Sequence, residues 1–252
     1  MSESTETGRR NAYGQPIGPA VEAWTERARP ARTPMEGRYC RLEAIDVEHH
    51  AADLYSAYME APDGRDWTYL FSERPADPAA FRADLEKAAA SSDPLHYTIT
   101  ELHEGKNAGW AVGTAALMRI EPVHGVIEVG SITYSPRLKQ TRAGTEAMFL
   151  MMRRAFDELG YRRYEWKCDS FNAPSRAAAK RYGFQYEGLF RQAIVYKGRS
   201  RDTAWFSITD REWPRVHAAF EAWLAPRNFD ARGKQIRSLA AIRDSLGGAG
   251  SQ

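Results

Sequence analysis

The sequence predicts an α/β fold built on a mixed, mostly antiparallel sheet of about seven strands with helices packed around it. The first observation is the order of the predicted elements: a strand, helices, three strands, a helix, a strand, a helix and two strands. The second is that a helix separates the fourth strand from the fifth, a crossover that makes these two strands parallel. The third is the composition, since 252 residues with 43% hydrophobic side chains can bury a full core.

The charge balance and the cysteines exclude several classes of function. The chain has 35 basic and 33 acidic residues, a net charge of +2, so no strong field directs it to nucleic acid or to an anionic membrane. Cys40 and Cys168 cannot form a disulfide framework, and neither has a neighbour at metal-ligand spacing, which predicts a reducing cytoplasm and no metal. The start "MSESTETGRRNAYGQP" lacks the apolar core of a signal peptide, and no run approaches the ~20 apolar residues of a membrane span.

The chain divides into an arm, one domain and a tail. Residues 1–36 mix Gly, Pro, Arg and Ser and are expected to form an extended N-terminal arm. Residues 37–226 carry the predicted elements, and residues 227–252 form a C-terminal tail. Because exposed Trp24 and Phe229 would be unfavourable in water, the arm and the tail could order on a partner subunit, for instance in a homodimer.

The first half of the domain contains four strands and two helices. After the strand "RYCRLEAI", "VEHHAADLYSAYME" has apolar residues at helical spacing. Asp77 as N-cap and Pro78 at the first helical position predict a second helix from Pro78 to about Ala90. The runs "LHYTITEL", "WAVGTAALMRI" and "VIEVGSITYS" are separated by the turn-rich "HEGKNAG" and "EPVHG", which predicts an antiparallel meander.

The second half begins with a long amphipathic helix, "TEAMFLMMRRAFDEL", whose methionines are expected to pack in the core and which Gly160 ends. The strand "YRRYEWKCD" alternates between two unlike faces. A short polar helix beginning at "FNAPSR" leads to a hairpin of "QYEGLFRQAIVY" and "RDTAWFSIT" joined by "KGRS". The helix "EWPRVHAAFEAWL" precedes the tail.

The loop "RLKQTRAGT" indicates an anion site. It is basic, contains a glycine and runs directly into a helix, whose first backbone N–H groups and dipole attract anions. Lys139 and Arg142 add formal charge, and phosphate is the expected guest. The alternative is an ordinary solvated loop, but the parallel strand pair brings the polar helix start "FNAPSR" beside it.

These residues carry a resemblance. Residues 37–213 are similar to the GCN5-related N-acetyltransferase (GNAT) superfamily, in particular to its RimJ/RimL-like branch of ribosomal-protein acetyltransferases. The resemblance rests on "IEVGSITYSPRLKQTRAGTEA", "YEWKCDSFNAPSRAAAKRYGFQYEG" and "GRSRDTAWFSITDREW". The phosphate-loop pattern of the family falls on residues 139–144, where Gly144 keeps the second small residue but Arg142 replaces the first glycine.

The resemblance implies a GNAT fold with a sheet splayed at its centre and acetyl-CoA as the acyl donor, without a metal. The pantetheine arm would insert where the strand around Thr133 leaves its neighbour, Asn172 would contact a pantetheine amide, and Ser175 would lie near the thioester sulfur. The donor-binding residues expected are Ile132, Thr133, Tyr134, Lys139, Gln140, Arg142, Ala143, Gly144, Thr145, Asn172 and Ser175.

The implied chemistry is direct attack of an amine on the thioester carbonyl. Glu128 is the candidate base, acting through water, with an ordinary strand carboxylate as the alternative. Ser175 is the candidate acid for the departing thiolate. Some relatives use a tyrosine seven residues after the asparagine, but Ala179 occupies that position here.

The acceptor site is expected in "DGRDWTYLFSERP", where Trp67, Tyr69 and Phe71 alternate and Asp66 or Asp63 could attract an ammonium group. The alternative is that the aromatic rings fill the core beneath the helices. A closed aromatic pocket favours a small-molecule amine, whereas an open acidic groove would favour a protein N-terminus. A non-catalytic acyl-CoA sensor is the alternative from a different functional class. The departure of Arg142 from the phosphate-loop pattern favours it.

Overall fold

The computed structural model describes residues 9–102 and 109–247. The strands are β1 (Arg9–Arg10), β2 (Pro16–Ile17), β3 (Met35–Glu36), β4 (Cys40–Ala44), β5 (Leu95–Glu101), β6 (Trp110–Glu121), β7 (Val126–Tyr134), β8 (Arg163–Asp169), β9 (Gln185–Tyr196) and β10 (Arg199–Thr209). The helices are α1 (Val47–Met59), α2 (Pro78–Ala90), α3 (Arg142–Arg153), α4 (Ala173–Tyr182), α5 (Trp213–Leu224) and α6 (Leu239–Gly247). Gly64–Trp67 and Pro226–Asn228 are short 3₁₀ helices, and a π-helical segment, Arg154–Glu158, continues α3.

One sheet organises the molecule. Its eight strands run in the order β3-β4-β5-β6-β7-β8-β10-β9, and the predicted meander and hairpin are present. The pair β7–β8 is parallel, as the crossover predicts, and the other pairs in this sheet are antiparallel. The strand beyond the expected seven is β3, which has two residues and is too short to show a periodic pattern.

Helices cover the sheet on both faces. Adjacent residues of β6 point to opposite sides: Ala111 joins a cluster under α1 and α2, whereas Val112 joins the larger core under α3, α4 and α5. Within residues 9–102 and 109–247, no helix has both the length and the apolar surface needed to cross a bilayer.

The predicted helices form with the expected signals. Helix α2 begins at Pro78, and Asp77 accepts a hydrogen bond from the N–H of Ala80 at 2.8 Å. Helix α3 begins at Arg142, three residues before the predicted run. Its predicted apolar residues Met148, Met151, Met152 and Ala155 are fully buried, which confirms core packing. The left-handed Gly160, with φ of +68°, follows its last turn.

The arm and the tail pack on their own chain. The indole Nε1 of Trp24 donates to the carbonyl oxygen of Val123 at 2.9 Å, and the Phe229 ring meets Trp223 edge-on at 5.1 Å. Trp24 and Phe229 are therefore partly buried against residues of their own chain. The arm is also less extended than expected, since β1 and β2 form a small hairpin. Most of the predicted connection "HEGKNAG" lies outside the described residues.

Candidate active site

The sheet opens between β7 and β8. Parallel pairing joins residues 126–129 to residues 163–166 and then stops. A β-bulge follows in β7, where Ser131 and Ile132 together oppose one residue of β6 and Ser131 has φ of +48°. Since a bulge bends its strand and increases the local twist, the end of β7 turns away from β8. The sheet therefore splays at the position expected from the sequence.

A cleft of about 1990 Å³ passes through this opening. It brings together the residues that the sequence predicts for donor, acceptor or catalysis, except Asp63, which does not line it and pairs with Arg65. The residues brought together are Asp66, Trp67, Tyr69, Phe71, Glu128, Ile132, Thr133, Tyr134, Lys139, Gln140, Arg142, Ala143, Gly144, Thr145, Asn172 and Ser175.

Helix α3 starts at the loop predicted to bind phosphate. Thr141 caps it, because its Oγ1 accepts a hydrogen bond from the N–H of Gly144 at 3.0 Å. The N–H groups of Arg142 and Ala143 occupy the first two helical positions, where an α-helix offers no internal acceptor and the dipole adds positive potential. A Cβ on Gly144 would lie 2.6 Å from the carbonyl oxygen of Leu138, so close packing explains this glycine.

The charged side chains of this loop are engaged within the protein. Lys139 Nζ lies 2.5 Å from Asp66 Oδ2, so a residue assigned to the donor pairs with one assigned to the acceptor. The Arg142 guanidinium lies 4.9 Å from the ring centre of Tyr39 and 4.6 Å from that of Phe229. The packing of the tail therefore accounts for arginine at the position of the first glycine. What this loop offers to an anion is therefore mainly the backbone N–H groups at the start of α3.

The start of α4 presents Asn172 and Ser175. Asn172 Oδ1 accepts a hydrogen bond from the N–H of Ser175 at 3.1 Å, which leaves the Asn172 amide nitrogen without an acceptor among the described residues. Ser175 Oγ accepts from the indole Nε1 of Trp166 at 3.0 Å, so its own hydrogen can be donated elsewhere. Burial raises the pKa of the nearby Cys168 thiol, whose side chain belongs to the main core. Cys168 thus packs in the core and also borders the cleft.

Glu128 is a buried carboxylate on β7 just before the bulge. Its residue is 4% exposed, and its Oε2 lies 2.9 Å from Lys167 Nζ and 3.0 Å from Arg119 Nε. Both contacts are ion pairs, and they place two cations against one carboxylate oxygen. Burial raises the pKa of Glu128, and the two cations oppose that rise. The carboxylate is therefore both charge-paired and part of the cleft wall.

The connection between α1 and α2, residues 60–77, reaches the β9–β10 hairpin; we call it the arch. Lys197 Nζ, in the hairpin turn, donates to the carbonyl oxygens of Trp67 and Ser72 at 2.9 and 2.8 Å. The Arg199 guanidinium donates to the carbonyl oxygen of Thr68 at 2.6 Å. These hydrogen bonds join the arch to the edge of the sheet that β10 and β9 form.

The aromatic residues of the arch have different environments. Trp67 is 4% exposed and meets Tyr58 edge-on at 6.3 Å, so it fills the smaller core as well as touching the cleft. Tyr69 is half-buried, whereas Phe71 is 64% exposed and lies 5.5 Å from the ring of Tyr196. The core alternative therefore holds for Trp67, and Phe71 is the ring most available to a ligand.

Sequence reasoning missed the opposite wall, which β8 and β10 supply. Trp205 stacks on Phe190 at 4.4 Å, and Lys167 Nζ lies 3.8 Å from the Trp205 ring centre. Arg201 and Thr203 continue this wall. The signal was available, because Arg201, Thr203 and Trp205 alternate along one strand and must share a face.

The cleft fits acetyl-CoA. Beyond residue 129, the edge of β7 toward β8 has no strand partner within residues 9–102 and 109–247, so its backbone groups are available to an extended arm. The start of α3 offers N–H groups to a pyrophosphate. A typical small-molecule pocket measures about 300–1,000 Å³, and a cleft of about 1990 Å³ has room for a second substrate.

Known proteins are similar to this chain in fold and in sequence. The chain matches the family model of the acetyltransferase (GNAT) domain over residues 41–185. A GCN5-related N-acetyltransferase from Brucella melitensis is 48% identical, with a TM-score of 0.85 and 89% of this chain and 100% of that chain covered. A protein from Chromobacterium violaceum, described as a probable acetyltransferase of the GNAT family, is 39% identical with a TM-score of 0.72, covering 79% and 98% of the two chains.

More distant similarity extends to a Vibrio cholerae protein named after ribosomal-protein-serine acetyltransferases. It is 19% identical with a TM-score of 0.58 over 70% of this chain and 97% of that chain, which shows the shared fold alone. No curated protein matches the chain. The domain match covers more than half of the sequence and the Brucella protein is 48% identical over most of it, so this chain belongs to the GNAT family of acetyl-CoA-dependent N-acetyltransferases.

Proposed function

We propose that this enzyme transfers an acetyl group from acetyl-CoA to a primary amine of a small molecule, by direct attack in a ternary complex. The observation that carries the choice of acceptor is the arch. It is bound to the β9–β10 hairpin by three hydrogen bonds from Lys197 and Arg199, and its residues Asp66, Trp67, Tyr69 and Phe71 line the cleft. A pocket with aromatic walls on a segment held in this way suits a small amine.

The donor would be held mainly by backbone. The free N–H groups of Arg142 and Ala143 suit the pyrophosphate, and the unpartnered edge of β7 suits the amides of the pantetheine arm. The Asn172 amide nitrogen, which has no acceptor among the described residues, is available to a pantetheine carbonyl. Acetyl-CoA supplies the acetyl group as a thioester.

Two side chains would move protons. As the N–C bond forms and the C–S bond breaks, Glu128 takes a proton from the amine through water, and Ser175 donates one to the departing sulfur. The raised pKa of Glu128 supports a base role, because a base with a pKa closer to neutral accepts a proton more readily. Holding both substrates in one cleft contributes to the rate by positioning alone.

The other acceptor and the other class have less support. For a RimJ/RimL-like protein acetyltransferase we expected an open acidic groove, yet the carboxylates Asp66 and Glu128 in the cleft are each paired with a lysine. The departure of Arg142 from the phosphate-loop pattern favoured a non-catalytic sensor. The contacts of Arg142 with Tyr39 and Phe229 give that arginine a structural role instead.

We also infer a reducing, cytoplasmic location. Cys40 and Cys168 are both free and buried. Free buried thiols are typical of proteins that fold in a reducing compartment.

A thiol-release assay tests the acceptor. Acetyl-CoA is mixed with a panel of small primary amines and of peptides with free N-termini, and binding of acetyl-CoA is measured separately by calorimetry. We expect turnover with small amines and little with peptides. Faster turnover with peptides would overturn the small-molecule proposal, and binding without any turnover would favour the sensor.

A further inference from the structure

Arg201 is a buried cation in the acceptor wall. It lies on β10, is 7% exposed and lines the cleft on the same face as Thr203 and Trp205. Its Nε donates a hydrogen bond to Thr203 Oγ1 at 3.1 Å. Its two terminal nitrogens donate no hydrogen bond to any residue in 9–102 or 109–247, and neither is sealed away from the cleft.

Aromatic rings hold the guanidinium in place. Its carbon lies 5.6 Å from the ring centre of Phe71 on the arch and 5.9 Å from that of Tyr196 on the hairpin. These contacts fix the side chain without neutralising its charge. Arg201 is therefore positioned at the junction of arch and hairpin with its donors available.

Two neighbouring cations, Lys167 and Arg119, differ from Arg201 because each has an acidic partner. Lys167 lies 2.9 Å from Glu128 and 2.7 Å from Glu165, and Arg119 lies 3.0 Å from Glu128. Across the described part of the chain, no carboxylate oxygen lies within 4.0 Å of a guanidinium nitrogen of Arg201, so Arg201 forms no ion pair there.

The acidic residue on the adjoining strand, Asp169, is occupied elsewhere. Its Oδ2 accepts from the Tyr196 hydroxyl at 2.7 Å and its Oδ1 accepts from the N–H of Phe171 at 2.9 Å. A buried charge without a counter-ion is costly, and its retention in a ligand cleft points to an anion supplied by the ligand.

We propose that the acceptor amine also carries a carboxylate, and that Arg201 binds this carboxylate. The proposal rests on the proposed function and specifies its substrate class: amino acids, with an aromatic or apolar body lying along Phe71 and Trp205. A guanidinium binds a carboxylate through two parallel N–H donors, which would orient the substrate and direct its amine along the cleft.

Isosteric substrate pairs test the proposal. Each pair keeps the amine and the size but replaces the carboxylate by an amide: phenylalanine with phenylalanine amide, and 4-(aminomethyl)benzoate with 4-(aminomethyl)benzamide. These pairs differ in the span between amine and carboxylate. We expect the wild-type enzyme to prefer the carboxylate in at least one pair by about tenfold or more in kcat/KM, within the range for charge-assisted hydrogen bonds.

Two variants separate binding from architecture. Arg201→Gln should remove the preference by lowering activity with the carboxylate while leaving the amide nearly unchanged. Arg199→Gln is the matched control: it removes a guanidinium that also contacts the Tyr196 ring and binds the arch, but that does not line the cleft. Arg199→Gln should keep the preference even if both substrates react more slowly.

Calorimetric titration of the four compounds, with acetyl-CoA as a separate ligand, gives a readout independent of turnover. Tighter binding of a carboxylate than of its amide, lost in Arg201→Gln, supports the proposal even if no acetyl transfer occurs. Equal treatment of both members of each pair by the wild-type enzyme in both assays overturns it. In that case turnover of the amides would still support the proposed function, and lack of turnover with acetyl-CoA bound would count against that function instead.

Discussion

The proposed donor half and the proposed acceptor half of the cleft are built in different ways. The donor half uses backbone groups and small residues from two short continuous stretches, the start of α3 and the start of α4. The acceptor half uses side chains from the arch, β7, β8 and β10, which are far apart in sequence. Recognition by backbone depends on local conformation, whereas recognition by side chains depends on how distant segments assemble.

This difference has an energetic side. The donor half contains strained or tightly packed backbone, such as Gln140 with φ of +61° and Gly144 against Leu138. The acceptor half contains a network of buried charges around Lys167, and its arch is held by hydrogen bonds from Lys197. Substitutions in one half are therefore expected to affect one substrate and leave the other nearly unchanged.

The largest expected effect is at Glu128. Glu128→Gln should lower kcat by about 100-fold, since general bases contribute roughly 10²–10⁴-fold, while acetyl-CoA binding stays the same. The deprotonated base is the active form, so the wild-type rate should rise with pH through the pKa of Glu128, which burial shifts above its ordinary value of 4.5. This acidic limb should be absent from the pH–rate profile of the variant.

The control for Glu128 is Glu165→Gln. Glu165 binds the same lysine at 2.7 Å and is equally buried, but it does not line the cleft. An equal loss of kcat in both variants would mean that the charge network, rather than a base, carries the effect.

The next effect concerns the donor half. Gly144→Ala places a Cβ 2.6 Å from the carbonyl oxygen of Leu138, so the start of α3 must shift. Strain of about 2 kcal/mol from such overpacking corresponds to about a thirtyfold rise in the Kd of acetyl-CoA. Calorimetry measures it, with Gly188→Ala as control because nothing lies within 4 Å of that position. Unchanged acetyl-CoA affinity in Gly144→Ala would contradict the assignment of the donor loop.

The arch provides the matching test on the acceptor side. Lys197→Met removes two hydrogen bonds to the carbonyl oxygens of Trp67 and Ser72. A charge-assisted bond contributes about 1.5–3 kcal/mol, so part of this loss should appear as about a tenfold rise in KM for the amine. Steady-state kinetics measures it, and Lys87→Met, at an exposed lysine paired with Asp84, should change nothing. A rise in the KM for acetyl-CoA instead would break the division into two halves.

The smallest expected effect is at Arg142. Arg142→Ala removes the contacts with Tyr39 and Phe229, worth ~1 kcal/mol in total, and should lower the melting temperature by about 2–4 °C. Exposed Arg227→Ala is the control. A large loss of acetyl-CoA affinity with an unchanged melting temperature would show that the guanidinium binds the donor rather than the tail.

Local patterns predicted most of the fold. Asp77 and Pro78 marked a helix that starts where expected, and the buried Met148 followed from its period. The eighth strand was missed because two residues carry no periodic signal. The docking of Trp24 on Val123 was missed because 99 residues separate them in the chain.

The sequence by itself determined the elements, their order and the basic loop at the start of α3, because capping, periodicity and helix-start geometry depend on residues a few positions apart. The tertiary structure alone decided that Lys139 pairs with Asp66, that Arg142 anchors the tail, and that Arg201 is buried without a carboxylate partner among the described residues. Those outcomes depend on which side chains of distant segments come within a few ångströms of each other, and no local pattern encodes such distances.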